Sequence, residues 1–337
     1  MSKRITLAHG SGGAAMAQLI QELFVESFSN SYLAKQEDQA RLPMGELIAH
    51  GEQLAFSTDS YVVDPIFFPG GDIGKLAVCG TANDVAMCGA KPQFLSCGFI
   101  LEEGLELSVL QQIVCSMAQT AEQAGVAIVT GDTKVVAKGA ADKIFINTSG
   151  IGVIPSNISW GAEQIEPGDQ IIVSGTIADH GATILNLRES LGLDGEIESD
   201  CQPLYPIVSA LLPISGVKTL RDATRGGVTA IMHEFKQISG YGLEVNEADL
   251  PLAPAVRGVC ELLGMDPLNF ANEGKLIAIV SKGSAEQALQ AMRATEAGAN
   301  AAIIGEVNRS GRITVKGCFG GSRLLDLPST EPLPRIC

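Results

Sequence analysis

Residues 80–90 read Gly80-Thr81-Ala82-Asn83-Asp84-Val85-Ala86-Met87-Cys88-Gly89-Ala90. Small and apolar residues recur at helical spacing over 72–89, so the run predicts a helix, and Asp84 falls inside it rather than at a cap. Downstream, 94–101 reads as a strand. Leu110, Ile113, Val114, Met117, Ala121 and Ala124 share one face of a helix over 108–124. Residues 126–130 form a short buried strand and 143–154 a longer one. Upstream, apolar runs at 46–50 and 53–58 flank Gly51 and predict a hairpin.

Pro155, Asn157, Gly161, Pro167 and Gly168 then break the pattern. Alternation resumes with a strand at 170–174 and helices at 178–190, 203–212 and 226–239. A strand at 241–246, a helix at 254–264, a strand at 276–280, a helix at 284–295 and a strand at 301–307 follow. This is an α/β (α+β) pattern, and 337 residues suggest two domains. The boundaries expected are 1–155 and 156–326. Residues 327–337, Leu-Pro-Ser-Thr-Glu-Pro-Leu-Pro-Arg-Ile-Cys, carry three prolines and form an extended tail that ends on Cys337.

The net charge of −15 argues against nucleic acid and against anionic membrane surfaces, both of which require a basic face. There is no apolar leader at the start, no run of 18 apolar residues and no CxxC pair, which points to the cytosol. Most of the eight cysteines lie in apolar runs, such as Ala-Val-Cys79-Gly and Ile-Val-Cys115-Ser, and read as small buried hydrophobes.

No Walker A motif is present, and Gly10-Ser11-Gly12-Gly13-Ala-Ala matches the dinucleotide fingerprint only loosely. From the residues alone it is either a loop over phosphates, with His9 beside it, or a disordered N-terminal segment. Asp59 is expected just after one strand and Asp132 just after another, with Asp84 in a helix and Asp222 just before one. Each alone is commonly a cap or turn residue, but the four together suit Mg²⁺, which takes hard oxygen ligands plus substrate phosphates. Lys134 and Arg225 are the nearby cations. Glu273, in Asn-Glu-Gly before a strand, is either a general base or an ordinary turn carboxylate. The histidines at 9, 50, 180 and 233 lack zinc-ligand spacing. Cys337 is a nucleophile on a tail, and no residues follow it to make a prenylation signal.

Thr-Asp-Ser at 58–60, the 80–90 run, Gly-Asp-Thr-Lys-Val at 131–135 and the final Pro-Arg-Ile-Cys together closely resemble the HypE family of NiFe-hydrogenase maturation factors. That family lies in the aminoimidazole ribonucleotide synthetase-like (PurM-like) superfamily. The resemblance covers essentially the whole chain. It implies a two-domain PurM-like fold whose N-terminal sheet joins a second copy in a barrel-like homodimer. It also implies ATP in a cleft, with Mg²⁺ on Asp59, Asp84 and Asp132. The nucleotide would be bound by His9, Gly10, Ser11, Gly12, Gly13, Thr81, Asn83, Asp222 and Arg225, with the Gly10–Gly13 loop over its phosphates. The implied reaction is ATP-dependent dehydration of a carbamoyl group on Cys337 to a thiocyanate, with Lys134 and Glu273 as catalytic partners. A HypF-type carbamoyltransferase would load the tail, and a HypC–HypD iron complex would take the cyanide. Two other readings compete: a small-molecule kinase or synthetase of the superfamily, and a non-catalytic nucleotide-binding scaffold.

Overall fold

The computed structural model describes residues 3–193, 196–330 and 333–337. A short 3-10 turn at Leu7–Gly10 leads into α1 (Ala14–Leu19), which runs on through a π-type turn into α2 (Glu26–Phe28). This arm buries Leu19, Leu23 and Phe24, and Phe24 stacks on Phe99 at 4.9 Å between centroids. Then come α3 (Met44–Ile48), β1 (Gln53–Tyr61) and the small hairpin β2 (Phe67–Phe68) and β3 (Gly71–Asp72). They are followed by α4 (Ile73–Ala86), β4 (Lys91–Glu102), α5 (Leu107–Ala124), β5 (Ala127–Val136) and β6 (Ile144–Ile154). The sheet order is β1-β6-β4-β5, with only β4–β5 parallel.

The second half holds β7 (Gln170–Val173), α6 (Asp179–Glu189), α7 (Tyr205–Leu211), β8 (Val217–Asp222), α8 (Gly227–Ser239) and β9 (Gly242–Asn246). It continues through α9 (Pro254–Leu263), β10 (Leu276–Val280), α10 (Ala285–Arg293), β11 (Ala302–Asn308), β12 (Ile313–Lys316) and β13 (Ser322–Leu324). Its strands form one sheet ordered β13-β12-β9-β11-β7-β10-β8. Every residue of β10 is buried, as expected of a strand covered on both faces.

The helix that carries the opening sequence run is α4. Asp72 caps it, its carboxyl accepting from the N–H groups of Gly74 and Lys75 at 2.7 and 3.0 Å. All of its residues are buried except Lys75 and Asp84. The reason is position: α4 packs on β1, β4 and β6 on one side and reaches α7 and β8 of the second half on the other. A helix buried all round needs no amphipathic stripe.

Four expectations are corrected. The run at 46–50 is not a strand: α3 occupies it, and β1 pairs with β6, Gln53 facing Ile154. A short apolar run suits a helix turn as well as a strand, and only Leu47 of α3 is buried. Asp59 and Asp132 lie within β1 and β5, not after them, because both strands run further than their apolar cores. Asp222 ends the edge strand β8, whose Val-Lys-Thr-Leu-Arg-Asp has too weak a pattern to have been read. Cys115 is exposed, on the outer side of α5.

The N-terminal sheet has two unlike faces. Ala55, Ser57, Asp59 and Tyr61 of β1 point toward α4, whereas Leu54, Phe56, Thr58 and Ser60 point away and are exposed. Phe56 is 69% exposed, an unusual fate for a phenylalanine in a sheet.

Candidate active site at the domain seam

Residues of the two halves meet around Asp84 of α4. Ser57, on the α4 face of β1, donates its hydroxyl to Asp84 Oδ2 at 2.7 Å. The Asp84 carboxyl in turn hydrogen-bonds that of Asp222 at the end of β8. Burial raises both above the ordinary carboxylate range, Asp222 to about 8 with the charge of Asp84 adding to it, and Asp59 adds its field to Asp84. Two carboxyls in contact beside a third acid titrate as a coupled group.

Glu273 lies in the same field. Its side chain is 3% exposed, and Oε1 has no hydrogen-bond partner. Burial, then Asp200, Asp222 and Asp59, push its pKa well above the usual carboxylate value. The backbone around it is fixed from below. Asp200 accepts from the N–H groups of Glu273 and Gly274 at 3.1 and 3.2 Å, and pairs with the buried Lys275 at 3.2 Å. Gly274 is required there, because a Cβ would lie 1.9 Å from the Asp200 carbonyl oxygen.

The C-terminal segment enters this seam. Leu333, Ile336 and Cys337 are buried, Cys337 to 7% exposure. A Cys337 main-chain oxygen accepts from the Val62 N–H at 3.0 Å, just past the end of β1, the strand that bears Asp59. His180 of α6, fully buried, bonds the Ile336 carbonyl through Nε2 at 2.8 Å and Ser199 through Nδ1 at 2.7 Å. His180 carries no signal in the sequence, because a hydrogen bond to a distant backbone carbonyl leaves no ligand spacing.

Other expected residues are placed elsewhere. Thr81 is buried in a hydroxyl chain, bonded to Tyr61 and Thr148 at 3.0 and 2.6 Å. Asn83 ties α4 to the second half, donating to the Gln202 carbonyl and accepting from the Leu204 N–H. Both side chains are engaged within the protein rather than open to a ligand. Arg225 is exposed on the loop between β8 and α8.

Asp132 and Lys134 form an exposed ion pair at 2.6 Å on β5, and Lys134 holds the Asp132 carboxyl below its ordinary range. In the sheet register Asp132 faces Gly98, which faces Asn147, which faces Ser60. It therefore lies at the opposite edge from Asp59 and on the outward face. One chain does not bring Asp132 and Lys134 to the Asp84–Asp222 pair. The glycine loop joins them instead: Gly10 sits against β5, where a Cβ would lie 2.7 Å from the Val135 nitrogen. His9 is buried there, its Nδ1 bonded to Thr6, while Ser11, Gly12 and Gly13 are exposed. Of the loop, Gly10 packs on β5 and residues 11–13 face solvent.

The described residues contain no group of three or more His, Cys, Asp or Glu side chains placed to hold a metal, and no helix long and apolar enough to cross a membrane.

The AIR synthase related protein families match this chain twice, the N-terminal domain over residues 36–154 and the C-terminal domain over 166–318. The carbamoyl dehydratase HypE of Escherichia coli K12 is 63% identical over 333 residues, spanning 99% of each chain. The chain belongs to the HypE family of carbamoyl dehydratases. A crystal structure of a HypE in complex with ATP superposes with a TM-score of 0.93 at 47% identity, covering 98% of this chain and 99% of that one. A HypE–HypF complex superposes at 0.80 and 46% identity, covering 94% and 100%.

Proposed function

We propose that this enzyme uses ATP to dehydrate an S-carbamoyl group on Cys337, yielding a thiocyanate whose cyanide becomes a ligand of NiFe-hydrogenase iron. The observation that carries the reading is the docked tail: the chain's last residue is buried at the seam, adjoining the strand run that bears Asp59. The names of the relatives and the ATP-bound HypE support it. The carbamoyl oxygen attacks the γ-phosphorus and ADP departs. The nitrogen then loses its two protons and phosphate leaves with the oxygen, giving the C≡N bond. The nucleotide drives an elimination that is uphill in water alone.

Asp84 and Asp222, with Asp59 beside them, fit Mg²⁺: two carboxylates plus phosphates match its habits, and their close approach is the kind of acidic pairing a divalent cation relieves. Bound there, Mg²⁺ would neutralise the phosphates during transfer. Glu273, buried in the field of these acids, is the group that takes a proton from nitrogen. Asp132, Lys134 and residues 10–13 act across a homodimer. In that dimer a second copy covers the outward sheet face with its exposed Phe56, and the two sheets close a barrel. The working units are 1–155, 156–326 and the tail 327–337. A HypF-type carbamoyltransferase loads the thiol, a HypC–HypD iron complex receives the product, and the setting is cytosolic.

The direct test is the mass of the terminal peptide. After loading it gains a carbamoyl group, and on ATP addition it loses one water. A loss of water without ATP would contradict the reading.

The acidic pair makes a separate prediction. The folded-state pKa of Asp222, about 8, lies above the unfolded value of ~3.9, so folding takes up a proton between those limits. Its contribution to stability is full below pH ~4 and is lost as pH rises through about 8. Mg²⁺ competes with that proton, so it should raise the melting temperature by several degrees more at pH ~8.5 than at pH ~6. Asp222→Asn should remove the difference. An equal Mg²⁺ effect at both pH values would argue against binding at this pair.

A further inference from the structure

Main-chain oxygens of all four residues from Pro334 to Cys337 are held by donors of the protein body. The Arg188 guanidinium takes two of them, donating from Nη1 to the Pro334 oxygen at 2.7 Å and from Nη2 to the Arg335 oxygen at 2.6 Å. Its Nε donates to the Asp64 carbonyl at 2.8 Å, so one side chain of α6 bridges the tail and the segment after β1. The Asp64 N–H adds a longer bond to the Arg335 oxygen, His180 holds the Ile336 oxygen and the Val62 N–H holds that of Cys337. Return contacts come from the tail: Arg335 donates to the Val62 carbonyl at 3.0 Å and to Asp142 at 2.7 Å.

We propose that Arg188 is a positioning residue for the dehydration, a clamp that seats the terminal thiol in the seam. The inference rests on the reading that Cys337 carries the substrate. The clamp grips backbone only, so it seats the segment whether the thiol is bare, carbamoylated or converted to thiocyanate. It also lies about three residues from the thiol, outside the space where the group on sulfur reacts. A guanidinium suits the task because its fixed fork satisfies several carbonyls at once, and charge-assisted bonds are roughly twice as strong as neutral ones. Lysine, a single point charge, cannot reproduce that arrangement.

The thiol is buried in the docked arrangement, so any reagent in solution reaches it only in the fraction of molecules whose tail has left the seam. Loss of the clamp should enlarge that fraction. In Arg188→Ala, the rate of Cys337 alkylation by iodoacetamide, followed by peptide mass, should rise roughly tenfold or more. Cys115 and Cys318, exposed in the native protein, serve as references and should react at unchanged rates. Arg188→Lys should stand between the two proteins. In a single turnover of loaded protein, Arg188→Ala should dehydrate more slowly than the parent while binding ATP equally well.

Alkylation of Cys337 at the parental rate in Arg188→Ala would overturn the clamp, as would full restoration by lysine. A general loosening of the fold would speed all the buried thiols together, and that result also counts against it. Arg335→Ala, a change on the tail that leaves the body untouched, should speed alkylation in the same way; no effect there would count against the docked geometry. The two readings fail separately. If loaded parent protein loses no water with ATP while the alkylation prediction holds, the functional reading falls and the clamp stands. If water is lost but alkylation is indifferent to Arg188, the reverse holds.

Discussion

Cys337→Ser should abolish donor-dependent turnover. With a carbamoyl donor and ATP present, the terminal peptide should carry no adduct, and donor-stimulated ATP hydrolysis should fall by roughly a thousandfold or more. The size of the effect follows from the residue's role as carrier of the substrate. A serine hydroxyl is far less nucleophilic than a thiolate at neutral pH, so loading itself fails. The fold should not register the change. Serine is nearly isosteric, and the tail's grip runs through the main-chain oxygens of residues 334–337, which the substitution leaves in place. Melting temperatures within a degree or two of each other would show that, and near-parental stimulated hydrolysis in the serine variant would remove the tail from the chemistry.

Glu273→Gln is the second large effect. Glutamine keeps the shape and cannot accept a proton, so dehydration of loaded protein should slow by about a hundredfold to ten-thousandfold, the usual range for a general base. ATP affinity should hardly change. The stability effect has the opposite sign. The Glu273 pKa is raised in the folded state, chiefly by burial and then by Asp200, Asp222 and Asp59. Its contribution is therefore full below the unfolded value of ~4.3 and is lost as pH climbs through the folded one. Glutamine is neutral throughout, so the variant should be at least as stable as the parent, with the margin widening as pH rises. A variant that is less active and more stable separates a functional acid from a structural one. Parental dehydration rates in this variant would remove Glu273 from the mechanism.

Much of the fold was legible because its signals are local. The face of α5 from Leu110 to Ala121, the apolar run of β10 and the break before β7 depend on neighbours in the chain, and the structure places all three where the pattern did. Asp84 was legible for a related reason: an acid inside a buried helix calls for an explanation wherever the helix lies. What escaped was set by distant partners. β8 is an edge strand recognisable only by its pairing with β10, and α3 differs from a strand only in what packs against Leu47.

The grouping of Asp59, Asp84 and Asp132 failed for one chain because motif order says nothing about sheet order. Two strands, β6 and β4, stand between β1 and β5, and Asp132 points outward. Asp222 meets Asp84 across the two halves, a contact that motif order does not reveal. Thr81 and Asn83 share the opening run with Asp84, yet a helix turns successive side chains in different directions, and theirs point into the protein. Arg188 and His180 could not be read at all, since each binds main-chain carbonyls more than a hundred residues away.

The central claim is that the carbamoyl oxygen leaves as phosphate, from a group carried on Cys337. It is tested most directly by loading the tail with a carbamoyl group bearing heavy oxygen, adding ATP and following the isotope. The account predicts one labelled oxygen in inorganic phosphate for each terminal peptide that loses water. Label released into solvent water, with the phosphate unlabelled, would contradict it.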